Sequence, residues 1–183
     1  MNLIEKTIKQ EQIFEGKIIT LRRDTVKLPN GNEATREVVE HPGGVAVVAL
    51  DEHNEVYMVR QFRYPFGEVI SEIPAGKLDA GEDPFDCCVR ELAEETGLSA
   101  GHYDYLGKFM LSPGFCREWI HIYLARDLTT GDAHLDADEF LEVEKRPLVD
   151  LVEQVMNNEL TDAKTVMGIL KTNELLRRER NRA

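Results

Sequence analysis

The first third of the chain carries short runs of apolar and β-branched residues that are typical of β-strands. Residues 17–28 and 33–41 flank the Pro-Asn-Gly triplet at 29–31, which is a strong hairpin signal. The apolar run at 43–50 suits a buried strand, and residues 55–64 suit its neighbour across a short polar turn. The pattern predicts that the chain opens with paired β-strands.

The rest of the chain mixes helical and strand patterns. Residues 84–96 predict a helix, because Asp83 stands at the N-cap position, Pro84 at the first helical position and Gly97 just beyond the end. Further strands are predicted at 103–111, 119–128 and 140–147, and further helices at 148–156 and 162–178. The predicted fold class is α+β, with a mixed β-sheet sandwiched between helices.

The helix predicted at 84–96 has an apolar face and an acidic face. Four residues, Phe85, Cys88, Val89 and Leu92, fall on one side of a helical wheel. Apolar residues at this spacing normally face the core of a globular protein. We therefore expect this face to pack on the sheet.

The acidic face of the same helix has an unusual charge pattern. Glu91 and Glu95 are four residues apart and stack on one another, with Glu94 one step round the helix. Arg90 is spaced to pair with Glu94 at i+4, which leaves Glu91 and Glu95 without a cation at helical spacing. Exposure to solvent is one explanation in so acidic a chain. A bound Mg²⁺, which prefers oxygen ligands, is another.

Composition and charge narrow the classes of function. The 183 residues are 42% hydrophobic and 31% charged, as in a globular domain, and the net charge of −12 argues against a nucleic-acid partner. The longest apolar run, residues 45–50, is too short to cross a membrane. Cys87, Cys88 and Cys116 lack zinc-site spacing and cannot all pair, which favours a reducing, cytoplasmic location.

A longer motif surrounds the acidic helix. Gly76 is followed after five residues by Glu82, and after seven more by the run RELAEETGL at 90–98. With this composition as the base rate, a chance match to the whole pattern is on the order of one in a million. The pattern is the Nudix box at every specified position, and the chain strongly resembles the Nudix hydrolases.

The resemblance implies roles for the acidic residues. In that family the box binds divalent metal, and the matching ligands here are Glu91, Glu95 and the backbone carbonyl of Ala75. The expected cofactor is Mg²⁺, with Mn²⁺ as a substitute. Glu94 is the third acidic member, expected to ligate metal or act in catalysis.

Four further box residues are expected to be structural. The resemblance implies that Arg90 and Glu82 hold the loop before the helix through a charge-assisted hydrogen bond. Gly76 and Gly97 stand at the two ends of the motif.

A Ser-Pro-Gly element identifies a branch of the family. Pro113 stands sixteen residues after Gly97, between Ser112 and Gly114, and Glu118 follows. This arrangement resembles the ADP-ribose pyrophosphatase branch, which implies hydrolysis of ADP-ribose to AMP and ribose 5-phosphate. Pro113 is expected to wall the pocket and Glu118 to accept hydrogen bonds from ribose hydroxyls or water.

Two arginines are predicted to bind the substrate. Arg36 and Arg63 lie in segments that resemble the substrate-binding strands of this branch, and a guanidinium group matches phosphate oxygens in a bidentate way. An exposed arginine on a strand without such a role is the alternative for each.

The resemblance places a general base in the loop before the strand predicted at 140–147. Glu139 matches best and is expected to act as base, as a further metal ligand, or as both. Relatives often carry another acid where this chain has Ala137. The assignment therefore stays open between Glu139, Asp138 and Glu142.

The resemblance also implies a homodimer. Residues 1–42 look like the N-terminal β extension through which relatives pair, and residues 43–183 form the Nudix domain. The rival functions are a broader nucleoside diphosphate sugar hydrolase acting on GDP-mannose or ADP-glucose, and a non-catalytic ADP-ribose sensor. A sensor is expected to carry a degraded box, and the box here is complete.

Overall fold

The structure, a computed structural model, describes residues 2–135 and 140–182. The chain divides into two compact units, Met1–Gly43 with Met110–Trp119, and Gly44–Phe109 with Ile120–Ala183. The first unit therefore contains a ten-residue segment beyond the predicted N-terminal extension.

The first unit is a four-stranded sheet. Its strands are β1 (Lys6–Glu15), β2 (Thr20–Lys27), β3 (Glu33–Glu40) and β9 (Cys116–Arg117), paired in the order β1-β2-β3-β9. The predicted hairpin between β2 and β3 is confirmed, with antiparallel pairing from Thr20–Glu40 to Lys27–Glu33. Gly31 adopts a φ of 89° in the turn, a conformation that glycine permits without steric cost.

The second unit is built on a mixed sheet. Its strands are β4 (Gly44–Leu50), β5 (Glu55–Arg63), β6 (Glu68–Glu72), β7 (Ala75–Lys77), β8 (Leu98–Met110), β10 (Trp119–Thr130) and β11 (Leu141–Pro147). The main order is β11-β5-β4-β10-β8, with β6 paired to β5 and β7 to β4. All residues of β4 are buried, as its apolar run predicts, and this strand lies at the centre of the core.

Three helices complete the described part of the second unit. They are α1 (Pro84–Thr96), α2 (Leu148–Met156) and α3 (Ala163–Arg180). The α+β prediction is confirmed, as are the bounds of α1 and α2. The short strands β6, β7 and β9 were not predicted, because two to five residues carry too little periodicity to identify a strand. Within the described residues, no helix is both long enough and apolar enough to cross a membrane.

Candidate active site

Helix α1 begins and ends as its sequence predicts. The Asp83 side chain accepts a hydrogen bond from the backbone N–H of Phe85 at 2.8 Å. Gly97 has a φ of 69°, and its N–H donates to the carbonyl of Ala93 at 2.9 Å. These two caps fix the length and rotation of the helix that carries the box glutamates.

The apolar face predicted for α1 is only half correct. Cys88 and Leu92 are fully buried, but Val89 and Phe85 are 38% and 42% exposed. The helix is rotated so that Glu91 and Glu95 are buried instead, at 7% and 2% exposure. Burying two carboxylates costs free energy unless charge or hydrogen bonds compensate, and here Arg90 pairs with Glu91 while the N–H of Ala75 binds Glu95.

Arg90 ties the helix to the loop before it. Its guanidinium donates to both carboxylate oxygens of Glu82, at 2.9 and 3.0 Å, and to the carbonyl of Lys77 at 3.2 Å. Glu82 also accepts from the backbone N–H of Asp79 at 2.9 Å. The bond from Arg90 holds the pKa of Glu82 at about 2, well below its usual 4.5. The predicted charge-assisted bond between these residues is present.

Arg90 also contacts two of the box glutamates. Its Nη1 lies 2.9 Å from Glu94, as the i+4 spacing predicts, and 2.8 Å from Glu91. Glu91 therefore has a cation partner, although none stands at helical spacing from it. A helical wheel does not show this contact, because the long, flexible arginine side chain reaches both the adjacent residue and the residue one turn later.

The glutamates face the short strand β7. The backbone N–H of Ala75 donates to Oε2 of Glu95 at 2.9 Å. Gly76 follows, and a β-carbon built on it would lie 1.8 Å from the carboxylate of Glu91. β7 is itself paired with β4 through Ala46–Ala75 and Val45–Gly76. A rigid backbone thus meets both buried carboxylates.

This set of oxygens fits Mg²⁺. Two buried carboxylates with a backbone carbonyl match an ion that is usually held by one or two carboxylates, with waters and substrate phosphates completing the shell. Over residues 2–135 and 140–182, no three histidine, cysteine or acidic side chains form a metal cluster.

The cysteines of α1 are not nucleophiles. Cys87 and Cys88 are free thiols in the core, and burial raises the pKa of Cys88 to about 12 and that of Cys87 further still. Both thiols stay protonated at neutral pH. The chemistry of this site rests on carboxylates.

Arg63 lies in a buried ion-pair group that the sequence did not indicate. It donates to both oxygens of Glu72 at 2.6 and 2.8 Å, and Lys164 also binds this carboxylate. Glu72 is 1% exposed. The hydrogen bond to Glu72 raises the pKa of Arg63, and the negative charge of Glu95 raises it further. The Arg63–Glu72 pair and Glu95 therefore share one electrostatic environment.

The Ser-Pro-Gly element forms a turn in the first unit. The carbonyl of Ser112 accepts hydrogen bonds from the N–H groups of Phe115 and Cys116, at 3.2 and 2.9 Å. A cavity of about 380 Å³ opens beside this turn, and its lining includes Arg36, Pro113, Gly114, Glu118 and Trp119. The structure brings four of the predicted substrate residues together here.

Two of these residues have partners within the first unit. Arg36 donates to both carboxylate oxygens of Glu5, at 2.9 and 2.5 Å, so its guanidinium is engaged by an acidic residue of the same unit. Nδ1 of His41 accepts a hydrogen bond from the N–H of Gly43 at 3.1 Å and lies 3.4 Å from the Glu118 carboxylate. Charged and polar groups therefore line one side of this cavity.

The predicted general base, Glu139, and its alternative Asp138 lie outside the residues that the structure describes. Glu142, the third candidate, is in β11, where its carboxylate lies 2.9 Å from Arg60 on β5. It is an exposed member of a strand-to-strand ion pair, so its environment does not indicate a catalytic role.

Comparison with protein families matches nearly the whole chain. A model described as NUDIX domain matches residues 40–167, and one described as nucleoside diphosphate sugar hydrolase N-terminal domain matches residues 5–39. The junction between them falls near the predicted boundary at residue 42.

Individual proteins agree with the family match. The chain is 46% identical to ADP-ribose pyrophosphatase of Bacillus subtilis (strain 168), over 92% of each chain. It is 45% identical to a methanol dehydrogenase activator of Bacillus methanolicus, over 90% of each chain. A crystal structure of an ADP compounds hydrolase superposes with a TM-score of 0.86, at 20% identity and 98% coverage of both chains, which indicates a shared fold.

Proposed function

The chain belongs to the Nudix hydrolase family, and from that premise we propose that it hydrolyses the diphosphate bond of ADP-ribose to AMP and ribose 5-phosphate. The observation that supports ADP-ribose as the substrate is the similarity to the Bacillus subtilis ADP-ribose pyrophosphatase over almost the whole chain. The complete box, with its buried glutamates, favours catalysis over mere binding of ADP-ribose.

The proposed metal ligands are Glu91, Glu95 and the carbonyl of Ala75. A Mg²⁺ ion bound there would neutralise charge on the diphosphate and lower the pKa of an attacking water. Ala75 also anchors the site through its N–H, which holds the Glu95 carboxylate against the β7 backbone. The net charge of −12 makes such a cation necessary, since the protein otherwise repels its anionic substrate.

Water adds across the diphosphate bridge in the proposed reaction. One P–O bond forms to the water oxygen, the bridging P–O bond breaks, and each product leaves with its own phosphate. We propose that Glu139 takes the proton of the attacking water, because carboxylates bound to metal are weak bases. Glu94 is the second acidic candidate, and its bond to Arg90 keeps it close to the ligand pair.

The proposed substrate contacts come from arginines and the Ser-Pro-Gly turn. Arg36 is paired with Glu5 in a bidentate way, and we propose that phosphate oxygens displace this carboxylate and bind the same two donors. Pro113, Gly114 and Glu118 line the cavity of the first unit, and we propose that Glu118 accepts hydrogen bonds from hydroxyl groups of the substrate. Arg63 would contribute positive charge, and it is held by Glu72.

We further propose that the protein is a cytoplasmic homodimer. Strand β1 is an edge strand, and exposed apolar side chains lie on it and just before it: Leu3, Ile4, Ile8, Ile13 and Phe14. Such an edge pairs readily with another chain. The three cysteines are free thiols, the state that a reducing compartment maintains.

A broader nucleoside diphosphate sugar hydrolase is the second candidate. The description of the model that matches residues 5–39 favours it, because that description names this wider substrate class. A panel of ADP-ribose, ADP-glucose and GDP-mannose, with phosphate released by a coupled phosphatase, separates the two. We expect the highest kcat/KM with ADP-ribose; preference for GDP-mannose, with ADP-ribose left intact, would assign the protein to the second candidate.

A further inference from the structure

The backbone that leads to Ala75 is fixed at every residue. The Glu72 carboxylate binds Arg63 and Lys164. Beyond it, the N–H of Ile73 donates to Oγ1 of Thr165 at 3.0 Å, and the carbonyl of Pro74 accepts from Val47 at 2.8 Å. The N–H of Ala75 completes the series by binding Glu95 at 2.9 Å.

Thr165 is the member of this series that comes from a distant part of the chain. It lies in the first turn of α3, is fully buried, and is 92 residues from Ile73 in sequence. Its hydroxyl donates to Oδ2 of Asp162 at 2.6 Å, while its own N–H donates to the same oxygen at 3.0 Å. Because the hydroxyl proton is committed to Asp162, a lone pair is directed at Ile73.

Little flexibility separates Ile73 from the carbonyl of Ala75. Pro74 lies between them with its φ fixed by its ring, and its carbonyl is bound to the central strand β4. A displacement at Ile73 is therefore transmitted to Ala75 rather than absorbed. Gly76 leaves little space for compensation, since a β-carbon built on it would lie 1.8 Å from the Glu91 carboxylate.

We propose that Thr165 is a positioning residue for the metal site, setting the Ala75 carbonyl and the Glu95 carboxylate through the Ile73 N–H. The inference rests on the proposed binding of metal by Ala75, Glu91 and Glu95. Residues that orient metal ligands from outside the coordination shell typically contribute about 10–100-fold to metal affinity. Lys164, the neighbour of Thr165, supports the same segment by holding Glu72.

Valine in place of threonine removes the hydroxyl and keeps the shape. Thr165→Val leaves the buried N–H of Ile73 without its acceptor, whereas Thr165→Ser keeps it. Thr172→Val is a matched control: Thr172 is fully buried on the same helix, and its hydroxyl has no hydrogen-bond partner among the described residues. Ile169→Val, a buried apolar substitution one helical turn from Thr165 that removes no hydrogen bond, controls for lost stability.

The test is the dissociation constant of Mn²⁺, measured on each purified variant by electron paramagnetic resonance without substrate, beside its melting temperature. We expect Thr165→Val to weaken Mn²⁺ binding by about tenfold or more, and Thr165→Ser, Thr172→Val and Ile169→Val to stay within about twofold of wild type. Substrate KM of Thr165→Val, measured at saturating metal, should be unchanged.

Three outcomes would count against these proposals, and they are distinguishable. If Thr165→Val melts at a lower temperature but binds Mn²⁺ as wild type does, Thr165 is only structural and the positioning proposal is overturned. If wild type and Glu95→Gln bind Mn²⁺ equally, the metal assignment itself fails. Loss of binding in Ile169→Val as well would also overturn the specific role of Thr165.

Discussion

A β-carbon on Gly76 would lie 1.8 Å from Oε1 of Glu91, so the carboxylate occupies the space that any other side chain would need. This relationship gives the first glycine of the box a steric reason. The glutamate from α1 approaches the backbone of β7 so closely that only glycine fits there.

Gly76→Ala is therefore expected to lose activity. The methyl group must displace the Glu91 carboxylate from its place beside Ala75 and Gly76, and we expect kcat/KM to fall by about 10²-fold or more, as for other displaced catalytic groups. Steady-state kinetics with Mg²⁺ measure this. Gly101→Ala is the control, because the new β-carbon would lie 3.2 Å from the β-carbon of Asp127, which is outside the box. Equal kinetics of wild type and Gly76→Ala would refute the steric argument.

The Arg90–Glu82 pair predicts a pH-dependent contribution to stability. The pKa of Glu82 in the folded protein is about 2, below its usual 4.5, so the stabilisation is fully present above pH 4.5 and is lost as the pH falls towards 2. Glu82→Gln should lower the melting temperature at pH 7, and the difference from wild type should shrink between pH 4.5 and pH 2. A difference that is constant across this range would show that the charge is irrelevant.

Glu139 is expected to act as the general base. General-base catalysis typically contributes about 10²–10⁴-fold, so Glu139→Gln should lower kcat within that range and leave KM little changed. Asp138→Asn and Glu142→Gln should be much milder, the latter because Glu142 is engaged with Arg60. If Glu139→Gln lowers kcat by less than about tenfold and the substitution of a neighbouring acid lowers kcat by more, that neighbour is the general base.

The proposed dimer is tested at β1. Ile8→Glu places a charge on an exposed apolar position of this edge strand, where burial against a second copy would be costly. Light scattering with size-exclusion chromatography should give a dimer for wild type and a monomer for the variant. Thr7→Ser, at an exposed position of the same strand, should remain dimeric; a wild type that is monomeric at all concentrations would end the proposal.

The sequence predicted the elements of this fold well where periodicity and caps agreed. Asp83, Pro84 and Gly97 place both ends of α1, and the apolar run of β4 indicates its central, buried position. The rotation of α1 was not predictable from apolar spacing. Phe85 fits an apolar face on the wheel, yet its ring packs edge-on against Tyr103 at 5.2 Å while two carboxylates point inward.

The candidate site was predicted as far as the motif extends along the chain. Its glutamates, the Ala75 backbone and the Arg90–Glu82 pair all belong to one continuous stretch. Glu72, Lys164 and Thr165 were missed, because their bonds join residues 92 apart in sequence and an isolated polar residue carries no periodic signal. The pattern Asp162-Ala163-Lys164-Thr165 was visible only as a helix start.

Phosphorus NMR of ADP-ribose, incubated with wild type and with Glu95→Gln, tests the central claim most directly. Wild type with Mg²⁺ should convert ADP-ribose to AMP and ribose 5-phosphate, and chelation of the metal by EDTA should stop the reaction. Glu95→Gln should keep the wild-type fold, because an amide oxygen can still accept from Ala75, but lose most turnover as a ligand charge is removed. Full turnover of Glu95→Gln, or of wild type in EDTA, would contradict the account.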